Sequence, residues 1–184
     1  DRHGGSAVDY TVNPSIGLPF LTGPADSNSP ANHVLPAWDL VTGQMAALGL
    51  LAAERHRSRV GGGQHVKIAL ADAAMAVMGH LGFIAEAQLG EERPRYGNYL
   101  FGAFGRDFLT SDGSRVMVIG LTKRQWKSLC IATQTEEKMD QLAEKLGRDF
   151  SKEGDRFESR EEISMLFGDF IAKQTFAEME QNFT

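Results

Sequence analysis

The sequence predicts a mixed architecture, α/β passing into α+β, on three observations. A long helix with recurring apolar residues begins beside Asp39, a single Asp-Gly hairpin is centred on Asp112 and Gly113, and every segment after Thr122 has helical periodicity. The chain has 184 residues, of which 42% are hydrophobic and 23% charged, as in an ordinary soluble globular protein. A net charge of -5 gives no reason to expect nucleic acid or an anionic membrane as the main partner. Cys130 is the single cysteine, so no disulfide framework and no cysteine metal cluster can form within the chain, which suits a reducing compartment.

Residues 1–35 are rich in Gly, Pro, Ser and Asn, with Pro14, Gly17, Pro19, Gly23, Pro24 and Pro30 in close succession, and are expected to run without regular structure. A helix is expected from about Pro36, because proline is tolerated in a first turn and Asp39 suits the positive end of the helix dipole. Val41, Met45, Leu48, Leu51 and Ala52 supply its apolar face, and Gly43 and Gly49 leave room for close packing. Arg55, His56, Arg57 and Arg59 close it before Gly61, Gly62 and Gly63. Val66 to Leu70 alternates like a strand, and a buried helix is expected from about Ala71 to Gln88.

A break rich in glycine and aromatic residues covers Gly90 to Gly105. Asp107 to Thr110 and Arg115 to Gly120 are then expected to pair across the Asp-Gly turn, with both faces of the hairpin covered. Thr122 is a plausible N-cap for a helix bearing Trp126, Leu129 and Cys130 on one side. Residues 135–147, 159–173 and 175–183 also read as helices, and Ser159 with Glu162 forms a capping-box pattern. No apolar run reaches the roughly 18 residues that span a bilayer, and the N-terminus lacks the apolar core of a signal peptide. With no initiator methionine and a last helix that stops short, the chain is expected to be a piece of something longer.

Among candidate chemical groups, Asp39 stands first. A carboxylate on a first turn can accept exposed backbone N–H bonds that favour its ionised form, and an ionised carboxylate can attack an activated carbonyl. The alternative is an acid that only steadies the helix. The Arg59 to Gln64 turn lacks the Lys-Ser or Lys-Thr of a phosphate-binding P-loop. Arg55, Arg57 and Arg59 are most simply cations at a helix C-terminus, with contact to a phosphate as the alternative. The glycines at 97, 102 and 105 allow close backbone approach to a ligand, and Tyr99, Phe101 and Phe104 can close over a planar or apolar group. A linker with core-packing aromatics is the competing reading. The five histidines show no metal spacing, and His80, on an apolar helix, is expected to be a core residue.

The stretch from Leu35 to Ala74 adds a specific signal. It carries Trp38-Asp39, Thr42-Gly43, Leu48-Gly49-Leu50-Leu51-Ala52-Ala53, Arg55, Arg59, Gly61, Gly63-Gln64, Val66 and Asp72-Ala73-Ala74 in order. This resembles the class III CoA-transferase (CaiB/BaiF) family, and weaker similarity continues through Asp112, Gly113 and Trp126. The resemblance implies a Rossmann-like large domain, a smaller α+β domain and an interlocked homodimer in the full-length protein. On that frame, residues 1–60 end the large domain with the nucleophile helix, and residues 61–95 are a strand and connector helix. Residues 96–184 then form the small α+β domain, incomplete at its C-terminus.

The resemblance further implies that Asp39 attacks an acyl-CoA carbonyl, giving a mixed anhydride and then an aspartyl-CoA thioester, with no permanently bound cofactor and a coenzyme A thioester as substrate. A glycine-rich loop covers the intermediates in the family; Gly97, Tyr99, Gly102 and Gly105 are the local candidates, with Arg59 for a CoA phosphate. Acyl-CoA and carboxylic acids are the implied partners, with neither nucleic acid nor membrane, in the cytoplasm. The same family contains α-methylacyl-CoA racemases, whose His and Glu fall near Ser6 and Thr122, neither a usable base. The segments Ala7 to Asn13 and Gly97 to Gly102 look more like 2-methylfumaryl-CoA (mesaconyl-CoA) isomerases, which move CoA between two carboxyls of one molecule. A non-catalytic dimerisation or binding module is the reading from a different class. The 184-residue chain alone is expected to bind CoA poorly and turn over nothing.

Overall fold

The computed structural model describes residues 5–183 and divides into two compact units, Asp1–Gly97 and Asn98–Thr184. In the first, the stretch read as irregular contains two short helices, α1 (Asp9–Ser15) and α2 (Leu18–Leu21), separated by Gly17 at φ +79°. A left-handed residue ends one helix and starts the other, a turn that glycine makes without steric cost. The long helix α3 runs Ala37–Val60 and stops at Gly61, whose φ of +80° lets its N–H bond back to the Arg57 carbonyl. Of its expected apolar face little is covered. Trp38 alone in this helix is buried, while Leu48 and Leu51 are 68% and 67% exposed. Periodicity shows which side of a helix is apolar, not whether the described residues include something to cover it.

Residues 61–69 form no strand. A strand needs a ladder partner, and none lies alongside; Val66 and Ile68 instead pack over Gly49 of α3, where an added Cβ would meet Val66 Cγ1 at 3.2 Å and Ile68 Cδ1 at 3.4 Å. The expected single helix after it is two, α4 (Leu70–His80) and α5 (Phe83–Leu89), bent by 71°. Gly82, at φ +84°, makes the break that continuous apolar periodicity concealed. No single helix among the described residues is long and apolar enough to cross a membrane. Val12, Trp38, Ala74 and Met78 form the core of this unit. His80, expected inside, is exposed.

In the second unit, β1 (Phe104–Leu109) and β2 (Arg115–Gly120) pair antiparallel, with Phe104 opposite Gly120 and Leu109 opposite Arg115. Strand β1 starts three residues earlier than expected. Gly105, read as loop, belongs in the strand: a Cβ there would meet Leu100 Cβ at 3.1 Å and Ile119 Cγ1 at 3.3 Å. In the turn Gly113 takes φ +81°, and Asp112 accepts from the Thr110 hydroxyl within the turn and, at 3.1 Å, from the distant Phe176 amide. One hairpin face is covered, through Phe104, Phe108 and Val118. The other was expected to be covered and is not: Met117 is 55% and Ile119 46% exposed. A two-stranded sheet with helices on one face leaves the alternate side chains outside.

Helix α6 (Lys123–Ala132) begins at Thr122, whose hydroxyl accepts the Gln125 amide while the Gln125 side chain accepts the Thr122 amide, a complete capping box. Helix α7 (Glu136–Leu146) follows, then α8 (Glu153–Glu158), α9 (Arg160–Ile171) and α10 (Phe176–Asn182). Helix α8 was not anticipated, and it explains why Ser159 makes no cap bond. Ser159 ends α8 with φ -100° and ψ 18°, near-helical rather than extended, so its hydroxyl cannot reach the next turn.

Trp126 stands among three rings, Phe104, Phe150 and Phe167, at centroid distances of 5.9, 5.9 and 5.6 Å and steep angles. Such edge-to-face contacts add to what area burial supplies. Arg156, wholly buried, donates to the Phe150 and Leu121 carbonyls, both at 2.7 Å, and its guanidinium lies 5.2 Å from the Trp126 ring centroid. Carbonyl acceptors and a π face replace the water that this cation loses.

Cys130 is enclosed by the same core, and burial pushes its thiol up from 9.0 to about 12. In the unfolded chain the thiol ionises from about pH 9, while in the fold it stays protonated. Its contribution is therefore fully present below about pH 9 and is lost as the pH rises toward about 12. Urea midpoints measured on either side of pH 9 should fall more steeply for the native sequence than for Cys130→Ala; equal slopes would contradict the shift.

Candidate active site

Helix α3 opens in an unusual way. Its N-cap is Pro36, which has no side-chain oxygen to accept the first amides. The acceptors come from elsewhere. Ala37 N–H bonds to the Leu35 carbonyl at 2.8 Å, and Trp38 N–H donates to Asp9 Oδ2 at 2.6 Å, from the start of α1. Asp9 is 1% exposed, so this is a buried, charge-assisted bond between elements 29 residues apart. Bonds of this kind are worth roughly 1.5–3 kcal/mol.

Around it, Asn13 accepts the Trp38 indole N–H at 3.0 Å and donates to Asn32 Oδ1. The Tyr10 hydroxyl donates to the Val34 carbonyl at 3.3 Å. His33 lies edge-on to Trp38 with Nε2 3.8 Å from Asp9 Oδ1. The strand of chain from 32 to 38 is thereby held along α1.

Asp39 follows directly on this anchor. It sits on the first turn of α3 and is exposed. Among the described residues no side chain or backbone group donates a hydrogen bond to its carboxylate, so the expected first-turn bonds are not formed. The local helix dipole remains favourable to the anion, and its open flank leaves room for an incoming carbonyl.

The other candidates are spread out. Arg59 is exposed in the last turn of α3. With 1.5 Å of rise per residue it stands about 30 Å along the helix from Asp39, too far for both to touch one acyl group. Gly97 closes the first unit at φ +62°, where an added Cβ would meet the Ala25 amide nitrogen at 3.5 Å.

Tyr99, Gly102 and Gly105 belong to the second unit. The Tyr99 hydroxyl accepts from Arg106 at 2.8 Å and donates to Glu161 Oε2 at 2.9 Å, beside Ser164 at 3.1 Å. It is committed to α9. Gly102 faces open space at φ +79°, whereas Gly105 is taken up by packing within the hairpin. Among the described residues no group of His, Cys, Asp or Glu is placed to hold a metal ion. Ser6 is exposed and the Thr122 hydroxyl is occupied as a cap.

Asp9, Asn13 and His33 were missed as a group by sequence reasoning. The signal that could have found them is Pro36 itself: a helix with an acid-bearing first turn and no capping side chain implies an acceptor from another segment.

A second tether joins α2 to the loop that follows it. Arg95 donates to four carbonyls, those of Phe20 at 2.9 Å, Ser27 at 2.7 Å, Ser29 at 3.0 Å and Pro19 at 3.4 Å. Nearby Arg93 pairs with Glu86 through two bonds and lies over Phe83, holding the Glu86 carboxyl below its usual range.

A long helix opened by a tethered first turn, followed by connector helices and a hairpin-with-helices unit, defines a class of protein. The sequence profile of CoA-transferase family III matches residues 2–184, and the chain belongs to that family. It is 57% identical over 99% of its length to the 2-methylfumaryl-CoA isomerase of Chloroflexus aurantiacus, covering 45% of that protein. It is 27% identical over 93% of its length to the succinyl-CoA:mesaconate CoA-transferase of Haloarcula hispanica, covering 41% of it. The chain thus spans about half the length of the curated relatives it matches.

The fold is shared with solved structures. Rv3272 of Mycobacterium tuberculosis in its orthorhombic form superposes with a TM-score of 0.74 at 18% identity, over 100% of this chain and 46% of that one. A CAIB/BAIF family protein of Brucella suis gives 0.65 at 22% identity, over 96% of this chain and 46% of that one.

If Arg95 is the clasp that its four bonds indicate, Arg95→Lys will not replace it, since a compact ammonium cannot fan out to carbonyls on both sides of the loop. Amide exchange over residues 18–31 should accelerate about tenfold or more in both Arg95→Ala and Arg95→Lys, each lost bond being worth about 1 kcal/mol. Protection retained in Arg95→Lys would contradict a role for the fork geometry.

Proposed function

We propose that, in the full-length protein, Asp39 is the nucleophile of a coenzyme A transfer between carboxylates, and that the two carboxylates belong to one molecule. The observation that carries the reading is the 57% identity to a 2-methylfumaryl-CoA isomerase across 99% of this chain. The geometry of Asp39 supports it: an exposed carboxylate on the first turn of a helix whose end is held from behind.

The chemistry balances without a metal or an external proton donor. An Asp39 oxygen adds to the thioester carbonyl, the carbon–sulfur bond breaks and the CoA thiolate leaves, giving a mixed anhydride. The thiolate then attacks the Asp39 carbonyl of that anhydride and expels the substrate carboxylate, giving an aspartyl-CoA thioester. The substrate's other carboxylate attacks this thioester and expels the thiolate. The thiolate finally attacks the substrate carbonyl of the new anhydride and frees Asp39. Backbone amides of a glycine-rich loop are suited to the oxyanions that develop, since the Ala37, Trp38 and Leu40 amides already have acceptors. The product is the same acid with CoA on its other carboxyl, as from mesaconyl-C1-CoA to the C4 isomer.

The exposed apolar side of α3, with Leu48, Leu50 and Leu51, supports a homodimer in which this surface is covered by a second copy or by the rest of the protein. The reaction belongs to the cytoplasm on this reading. The chain alone lacks turnover on this reading, and of the candidates read from the sequence the open Gly102 and the exposed Arg59 stay as proposed CoA contacts.

In the full-length protein Asp39→Asn should lower kcat by about a thousandfold or more with the fold intact by circular dichroism. Hydroxylamine added during turnover should leave a hydroxamate at position 39 of the native enzyme. Near-native turnover in Asp39→Asn removes the mechanism. Conversion that needs an added carboxylic acid makes the transfer intermolecular, and absence of any acyl-enzyme points to a binding module.

A further inference from the structure

Asp9 has no role in the reaction as written, yet it is the buried carboxylate nearest in structure to the start of α3 that the described residues provide. It is 1% exposed, and one of its oxygens accepts the Trp38 amide at 2.6 Å. Burying a carboxylate is costly unless strong partners compensate. A helix can begin more cheaply with a serine or threonine at its N-cap, as α6 and α10 of this chain do through Thr122 and Thr175. Here the N-cap is Pro36, and the acceptor is delivered from α1 instead.

Three further contacts run between the same two segments: Asn13 to the Trp38 indole, Asn13 to Asn32, and Tyr10 to the Val34 carbonyl. All end within seven residues before Asp39. The arrangement fixes the direction from which α3 starts, and with it the place of the exposed carboxylate one residue past the anchor.

We infer that Asp9, with Asn13, is a positioning residue for Asp39: it caps α3 from a distance and sets where the reacting carboxylate stands, without itself touching the substrate. The inference rests on the assignment of Asp39 as nucleophile, but its physical core, a capped Trp38 amide, is open to separate test. An oxygen misplaced by about 1 Å can cost about a hundredfold in rate.

The test uses the full-length enzyme. In the native protein the Trp38 amide, a first-turn donor without an intrahelical partner, should exchange slowly; fast exchange there overturns the inference with no variant needed. Asp9→Ala should speed exchange at Trp38 and lower kcat by about a hundredfold with KM little changed. Asp9→Asn, which keeps an acceptor oxygen, should recover most of both. A purely structural role predicts fewer folded molecules with native kcat in each, and a folded Asp9→Ala enzyme with native kcat overturns the inference. Failure of the nucleophile assignment is a different result: Asp39→Asn stays active while Trp38 exchange remains slow.

Discussion

One hydrogen bond sets the order of the first unit: a carboxylate from α1 meets the second amide of α3. An α-helix leaves its first N–H groups without partners, and Pro36 has nothing to offer them. The chain solves this by folding residues 32–38 back against α1, where Asp9, Tyr10 and Asn13 each take hold of them. A 24-residue helix with almost no buried side chain beyond Trp38 would otherwise have little to fix its start. The proposed chemistry at Asp39 depends on that start being in one place.

The second unit is held differently. Its core is aromatic, with Trp126 set among Phe104, Phe150 and Phe167, and the buried guanidinium of Arg156 is held by two carbonyl oxygens, with the Glu153 carboxylate at 3.5 Å. Arg156 ties the end of β2 to the turn before α8. The hairpin's outer face is left apolar and open, as is the long side of α3. The chain spans under half of the length of the curated relatives it matches.

Local chemistry was legible in the sequence at several self-contained points. The Asp-Gly turn, the Thr122 N-cap and the glycine that ends α3 each act within a few residues, and each is present. Elements that depend on distant partners were not legible. Val66 to Leu70 has the alternation of a strand, but alternation records two chemically different faces, not a neighbour to bond with. The continuous apolar run after Ala71 hid the left-handed turn at Gly82, because composition averages over a single residue's φ. Ser159 carried a capping signature that the unanticipated α8 cancelled by setting its backbone. Of the candidate site, Asp39 and its helix position were readable from Pro36 to Gly43. The tether through Asp9 was not, since nothing local joins positions 9 and 38.

The central claim is that an oxygen of Asp39 becomes part of the reacting bond, and isotopic labelling tests it directly. In the sequence of attacks above, the substrate's free carboxylate leaves one of its oxygens on Asp39 in each cycle. A single turnover, with full-length enzyme in excess over a CoA ester whose free carboxylate carries oxygen-18, should therefore yield an Asp39-containing peptide heavier by one labelled oxygen. Complete conversion of substrate with an unlabelled peptide would contradict the account.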